Sequence, residues 1–500
     1  MAISSAVDAS AVARVVGIKT IFKDLRGGSI LFLPQRIAVI GQGNTAATYS
    51  TDKAQYTSAL AVAEAYGFGS PLHLAALQLL PTNGDGIGTI PMTVYPLVDD
   101  AAGVAAAGDI TPSGAATGAA SFRVKVNNIA SEQFVVASGD SVATITAAIT
   151  AAMAAALNLP VTAADNGTDV GVTAKWEGAS GNDLVIEVEA TSEDNSGITF
   201  GITQPVGGLV NPDVQPALDQ IGDVWETMVL NCLEIADTTT LDKYSTFGEG
   251  RWGALTRKPL VVFTGNTATT VNNAIAVPDA RKTDRTNSQL VAPASNDLPL
   301  VVAARQLARI APLANNNPPY DYGSQDATGL VPGPDGDQWT YADRDQAVKG
   351  GSSTTEVKDG VINVSDVVTF YHPDGDPIPA YRYVVDIVKL QNIIFNLDLI
   401  FATKEWDGAP LIPDDQPTIN RDAKKPKTAV AAVASMLDSL GLNAIISDPE
   451  TAKANTFAAI NDQNPKRLDL VTTVQLSGNT NIISVDLEFG FFFGTAPVVA

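Results

Sequence analysis

The stretch "SILFLPQRIAVI", residues 29–40, sets the pattern of the first part of the chain. It is apolar and rich in β-branched residues, with Pro34 as an interruption, which is typical of one strand or two strands entering a core. Residues 57–67 and 70–80 follow as two predicted helices, and residues 89–98 as the next predicted strand. This alternation predicts an α/β domain.

The composition changes at residue 99. Residues 99–120 are mostly Ala, Gly and Ser, with little to bury, and predict a surface linker. Two strands, a helix and two further strands are predicted after it, in "SFRVKVNNI", "EQFVVA", "SVATITAAITAAMAAALN", "VTAKWEG" and "DLVIEVEA". Because the α/β pattern resumes near residue 211, we interpret this β-β-α-β-β module as a domain inserted into the first one.

The second half continues the α/β pattern and then changes character. Residues 315–338 form a long Pro/Gly/Asn-rich loop, and residues 361–387 predict a hairpin around "HPDGDPIP". Two helices follow, and the chain closes with a predicted hairpin of "RLDLVTTVQL" and "NIISVDLEFGFFF" around "SGNT". The predicted fold is thus a mixed α+β and α/β multidomain chain: an N-terminal arm (1–27), a central α/β domain (28–98 and 211–355), an inserted β-rich domain (99–210), a C-terminal α+β domain ending in a β-hairpin (356–480) and a C-terminal strand or arm (481–500).

The bulk composition restricts the partners. The chain has 500 residues, of which 45% are hydrophobic, and its formal net charge is -23, from 54 acidic and 31 basic residues. A protein that follows phosphates needs Lys and Arg to displace counterions, so this charge argues against nucleic acid as a partner. No stretch approaches the ~18 apolar residues of a membrane span, and no signal peptide is recognisable. We therefore predict no membrane insertion.

The sequence contains few of the residues and motifs that usually carry catalysis. The chain has one cysteine, Cys232, and two histidines, His73 and His372, and it lacks the motifs of serine hydrolases, zinc proteases and P-loop enzymes. His73 lies in an apolar helical stretch and is interpreted as a helix-surface or packed histidine. The sequence predicts no catalytic, cofactor-binding or metal residue, and a protein that is not an enzyme.

The segment after the first predicted strand weakly resembles a dinucleotide-binding motif. Gly41, Gly43 and Ala46 match the spacing of a dinucleotide fingerprint, but a polar loop follows where a helix N-terminus would have to hold the pyrophosphate. The paired carboxylates in "PDGDQ" and "HPDGDP" are interpreted as turn chemistry, since neither continues into the ligand spacing of a calcium loop. We predict no cofactor.

Two segments of the sequence are candidates for contacts with another chain. Residues 483–491 alternate large apolar side chains with Ser, Asp, Glu and Gly, which is the period of a strand, and the pattern allows either a local hairpin or an unsatisfied edge. Lys424, Lys425 and Lys427 form the main basic cluster of an acidic chain. They are either a solvated loop or possible intersubunit charge contacts.

Taken in order, the segments resemble the tail sheath proteins of contractile-tailed phages, specifically the Mu-like subfamily. The resemblance rests on "RIAVIGQG", "AEAYGFGSPLHLAALQLL", the inserted β-rich domain, "VTFYHPDGDPIPAYRYVVDIVKLQNI" and "NPKRLDLVTTVQLSGNTNIISVDLEFGFFF", over essentially the full length. It implies a structural subunit that stacks in hexameric rings around an inner tail tube and contracts to drive that tube through the host envelope. It also implies baseplate and tail terminator proteins as partners, assembly in the host cytoplasm and a final place in the virion.

The resemblance further implies that both arms add strands to sheets of neighbouring subunits. An apolar edge strand is an aggregation hazard unless another chain covers it, so this use agrees with the residues. The expected intersubunit strand residues are Val15, Val16, Ile18, Ile21, Ile483, Val485, Leu487, Phe489 and Phe491. The inserted domain is expected on the outside and dispensable for polymerisation.

A second class of function stays open at this point. A virion-surface adhesin or decoration protein that binds a host glycan would also use β-rich domains. Such a protein is expected to show repeats or aromatic platforms, and none recurs in the sequence.

Overall fold

The structure is a computed structural model that describes residues 31–376, 379–481, 483–487 and 489. The predicted N-terminal arm, residues 1–27, lies outside this part of the chain. The first described elements, up to residue 97, are three strands and two helices: Ile37–Gln42 (β1), Ala54–Tyr56 (β2), Ala59–Tyr66 (α1), Pro71–Leu79 (α2) and Met92–Leu97 (β3).

A β-rich module follows between residues 107 and 206. Its elements are Ala107–Gly114 (β4), Ala120–Val126 (β5), Ile129–Ala130 (β6), Phe134–Val136 (β7), Val142–Ala155 (α3), Val161–Asp165 (β8), Val170–Ala174 (β9), Ile186–Ala190 (β10) and Ile198–Val206 (β11). Strands β10, β5, β6 and β7 form one sheet, and β11, β4, β9 and β8 form the other.

The α/β pattern then resumes. Its elements are Gln215–Ile221 (α4), Met228–Asn231 (β12), Thr238–Arg251 (α5), Val261–Asn266 (β13), Val271–Asp279 (α6), Asn287–Val291 (β14) and Pro299–Asn316 (α7). The C-terminal part contains Tyr341–Lys349 (α8), Thr354–Lys358 (β15), Val361–Asp366 (β16), Val384–Phe401 (α9), Pro426–Leu442 (α10), Ile446–Ser447 (β17), Pro449–Ala454 (α11), Phe457–Ile460 (β18), Leu468–Val471 (β19) and Gln475–Leu476 (β20). Among the described helices, none combines the length and hydropathy needed to cross a bilayer.

The central sheet has six strands in the order β14-β13-β12-β1-β3-β2. All neighbours are parallel except the edge strand β2, which runs antiparallel to β3. Ile37 and Val39 pack with α2 and α7 on one face, whereas Ala38 and Ile40 pack with α4 and α5 on the other. Burial on both faces explains why these strands are continuously apolar, and the mixed α/β character is confirmed.

The prediction of a surface linker over residues 99–120 is wrong. Residues 107–114 form β4, which lies between β11 and β9 in the interior of a sheet. The strand buries little beyond Ile110 and Pro112, so its composition resembles that of a linker. Its position is determined by pairing with β11, a strand that the sequence analysis did not recognise.

Both predicted C-terminal hairpins are displaced. The first one forms earlier, between β15 and β16, and only a single bridge joins Val368 to Tyr383 where the predicted strands would have paired. The residues after Tyr383 open α9 instead. At the end of the chain β19 pairs with β18 and β20 with β17, while residues 483–487 and 489 have no regular secondary structure. The described residues of the closing run therefore have no partner strand in residues 468–476.

Candidate assembly surfaces

The glycines after β1 are used for packing. A Cβ at Gly41 would lie 2.7 Å from the Cβ of Cys232, and one at Gly43 would lie 2.3 Å from the ring of Tyr49. The Gly43 N–H donates to the Tyr49 hydroxyl at 3.2 Å, and that hydroxyl donates to the carbonyl of Leu97 at 2.9 Å. The next helix along the chain begins at residue 59, so this turn does not lead directly into a helix N-terminus. The turn is a tight exit from a buried strand.

The carboxylate pairs lie in turns, as predicted. Asp335 and Asp337 belong to one short 3₁₀ turn, and the Asp374 carboxylate accepts from Lys282 Nζ at 2.8 Å. Within the described ranges, no group of three or more His, Cys, Asp or Glu side chains has an arrangement that could hold a metal ion. These residues act in local turn and surface structure.

His73 is a packed residue in the first turn of α2. Its Nδ1 accepts from the N–H of Gly69 at 3.0 Å, and its ring meets that of Phe68 edge to face. Burial, with a smaller contribution from the nearby Lys175 ammonium, lowers the pKa of His73 to about 4. The neutral imidazole is therefore the form that the fold accommodates.

Stability is expected to fall as the pH decreases from about 6.5 to about 4, because of His73. The unfolded chain binds a proton to this side chain near pH 6.5, whereas the folded chain binds it only near pH 4, so protonation favours unfolding in that window. The contribution lost is about 3 kcal/mol. Urea unfolding of wild type and His73→Asn at pH 7 and pH 4.5 measures it: the difference between the two proteins should change by this amount. An equal pH dependence in both proteins contradicts the prediction.

The three lysines of the basic cluster are engaged by their own chain. Lys424 Nζ lies 3.4 Å from Glu405 Oε2. Lys425 Nζ and Lys427 Nζ both donate to the carbonyl of Asp414, at 3.3 and 3.2 Å, and the Lys427 N–H donates to the carboxylate of Asp414 at 2.9 Å. The cluster therefore closes the loop between α9 and α10. A role in intersubunit contacts stays a prediction.

The predicted strand-exchange residues fall into two groups. Five of them lie outside the described residues: Val15, Val16, Ile18, Ile21 and Phe491. The other four, Ile483, Val485, Leu487 and Phe489, have exposed fractions of 78%, 75%, 80% and 89%. Four large apolar side chains at alternate positions are thus exposed, and their use in strand exchange stays a prediction.

A small hairpin near the C-terminus also exposes apolar side chains. Strands β18 and β19 pair with Phe457 opposite Val471, and these two side chains are 64% and 63% exposed. Within the described part of the chain, this sheet has only these two strands. Leu470 packs inward on the core of α9 and α10, so the hairpin is fixed to the body, and neither of its edges has a neighbouring strand among the described residues.

The sequence analysis missed this hairpin because it paired β19 with the closing run. The signal was present in "AAINDQNPKRL", where a turn-rich segment separates two short apolar runs. Asn461 accepts backbone N–H groups of Gln463 and Asn464 through its side chain and so forms that turn. An Asn at this position is typical turn chemistry.

Comparison with known proteins adds a relative of almost the same length. The chain is 23% identical over 467 residues to the Mu-like prophage FluMu tail sheath protein of Haemophilus influenzae, a match that covers 90% of this chain and 92% of that protein. The predicted resemblance is confirmed. No protein-family model matches the sequence.

Solved structures of sheath proteins are also similar. A sheath tail protein of Listeria innocua matches with a TM-score of 0.46 and 12% identity, over 90% of this chain and 94% of that one. The PVC sheath complex, from an extracellular contractile injection system in its contracted state, matches with a TM-score of 0.47 and 10% identity, over 96% and 99% of the two chains. Because both TM-scores are below 0.5, the resemblance rests on the sequence match to the prophage sheath protein.

Proposed function

We propose that this chain is the structural, non-enzymatic subunit of a contractile tail sheath. The similarity to a Mu-like tail sheath protein over 90% of the chain carries the proposal. Many copies assemble as stacked hexameric rings around an inner tail tube, with baseplate and tail terminator proteins at the two ends. The sheath belongs to the virion and is assembled in the host cytoplasm.

The arms link the copies by adding strands to a neighbour. The exposed alternation of Ile483, Val485 and Leu487 supports this role for the C-terminal arm, because backbone hydrogen bonds supply attachment and alternate side chains supply register. The hairpin of β18 and β19 is the proposed acceptor, since both its edges are open and its Phe457–Val471 face is exposed. The N-terminal arm is proposed to add a strand in the same way.

Contraction then needs no nucleotide. The extended lattice is metastable, and the packed bodies rotate as rigid units while they exchange one set of intersubunit contacts for another. The arms keep neighbouring copies connected during this movement. The sheet with helices on both faces supports rigid-body motion because its core is closed within one subunit.

Electron microscopy of the purified protein tests the proposal directly. We expect hollow tubes of uniform diameter by negative stain, because a sheath subunit carries the contacts for its own polymerisation. The same sample is compared at low and high protein concentration to separate assembly from aggregation. Particles that stay monomeric at all concentrations, or irregular aggregates alone, would contradict the proposed function.

A further inference from the structure

Helix α9 carries a stripe of buried polar side chains. Lys389, Asn392 and Asn396 have exposed fractions of 0%, 0% and 4%. Their spacing of three and then four residues places them on one face of the helix. Side chains of this kind are rarely buried so completely, and burial is costly unless each polar group finds a partner.

Lys389 holds the segment from which the C-terminal arm departs. Its Nζ donates to the carbonyl of Ser477 at 2.6 Å and to the side-chain oxygen of Asn479 at 2.8 Å, and it lies 3.0 Å from the carboxylate of Asp386. Asn479 in turn donates to the carbonyl of Pro319 at 2.8 Å. We name residues 475–481 the C-terminal root. It is held on the body by the two hydrogen bonds from Lys389 and by the bond from Asn479 to Pro319, while the Lys389–Asp386 ion pair lies within α9.

Asn392 and Asn396 hold the segment that follows the N-terminal arm. The N–H of Leu33 donates to Asn392 Oδ1 at 2.8 Å, and Asn396 Nδ2 donates to the carbonyl of Leu31 at 3.0 Å. The Leu33 side chain is itself buried. We name residues 31–35 the N-terminal root. Both roots are therefore attached to the same face of one helix.

We propose that the Lys389–Asn392–Asn396 stripe is a shared anchor that transmits load between the two arms, an inference that rests on the proposed function. The stripe extends over seven residue steps, from Lys389 to Asn396, or about 10 Å of helix. A pull on one arm can thus reach the other through one helix, without passing through the central sheet. The stripe residues position the arms and contact no partner themselves.

Hydrogen exchange on the unassembled protein tests the anchor. Lys389→Met removes the donors to the C-terminal root, and we expect exchange in residues 475–481 to accelerate about tenfold or more, since hydrogen bonds to a charged group are lost. Asn479→Ala, which alters the root and leaves α9 intact, should have the same direction of effect and keeps the test valid if Lys389→Met does not fold.

Gln391→Leu is the matched control. Gln391 is 1% exposed on the same helix, but its amide donates to the carbonyl of Pro259 in the body at 3.0 Å. This variant should leave exchange in both roots within about twofold of wild type. If Lys389→Met and Asn479→Ala accelerate the C-terminal root no more than Gln391→Leu does, the anchor is overturned whether or not tubes form.

Assembled tubes test the transmission of load. Lys389→Met and Asn392→Leu each break the path at one end, so each should lower the urea concentration at which tubes dissociate, relative to Gln391→Leu tubes. Because the two anchors act in series, the double variant should dissociate at the same urea concentration as the weaker single variant. Additive shifts would show that the roots act independently and would overturn the inference. Absence of tubes from wild type would count against the proposed function alone.

Discussion

Replacing Val485 and Leu487 with asparagine is expected to abolish tube formation and to leave the melting temperature of the body unchanged. Both side chains are exposed in the isolated chain, so their removal costs no internal packing. In the proposed sheath they fill the pockets that fix an added strand on its acceptor, and a polar replacement leaves those pockets without apolar contact. The effect on assembly should be all or none, because every copy in a tube depends on the same contact.

The alternation of the segment supplies the control. Ser484→Asn and Asp486→Asn change the same number of residues to the same side chain, but at the positions between the apolar ones. These variants should form tubes like wild type in negative-stain images at equal protein concentration. Deletion of residues 482–500, which leaves Asn479 in place, should match the apolar variants. Ordered tubes from that deletion would refute strand exchange through the C-terminal arm.

The second large effect concerns the base of the β-rich module. Lys175 Nζ donates to the carbonyl of Phe68 at 3.1 Å, and the N–H of Thr45 donates to the carbonyl of Lys175 at 2.8 Å. On another side, Asn128 donates to the carboxylate of Asp297 at 2.9 Å. One buried apolar cluster also runs through both the module and the central sheet. The module is thus packed against the body along its base.

Replacement of residues 104–209 with a short linker is therefore expected to lower the free energy of unfolding of the remaining body by about 3 kcal/mol or more. Several polar groups of the body lose their partners, and part of the shared apolar cluster becomes exposed. Urea unfolding at pH 7 measures the change.

The control is a Gly-Ser insertion at Gly167, in the exposed turn between β8 and β9, which should cost little. An excised protein as stable as wild type would show that the base contacts contribute nothing. Dispensability of the module for polymerisation stays a prediction, and it is measured on an excised protein only if that protein folds.

The parts of the fold that were predictable are those determined by local pattern. Strand β1 and helices α2 and α7 have continuous apolar runs or periodic apolar faces, and the helix predicted over residues 70–80 is found as α2, with Ser70 as its N-cap. The alternation of such segments predicted the α/β character, but neither the edge strand β2 nor the strand order of the sheet. Where the local pattern of a segment determines its secondary structure, the sequence alone was enough to predict that structure.

The parts that were not predictable depend on distant partners. Strand β4 is defined by β11, and the closing run was assigned to β19 because alternation does not reveal which strand is the neighbour. The buried stripe on α9 could not be predicted from the local sequence. Lys389 looks like an ordinary charged surface residue until the fold places the carbonyl of Ser477 beside it. Pairing across long separations is information that single segments do not contain.

The two open edges of the β18–β19 hairpin have a consequence for the ends of the proposed sheath. If each copy adds a strand through both arms, as proposed, and accepts one at each hairpin edge, the number of added strands equals the number of open edges within the lattice. At one terminus of the tube the edges stay vacant, and at the other terminus the arms stay unplaced. The two ends are therefore chemically different, and each calls for its own kind of cap: one that offers strands and one that accepts them.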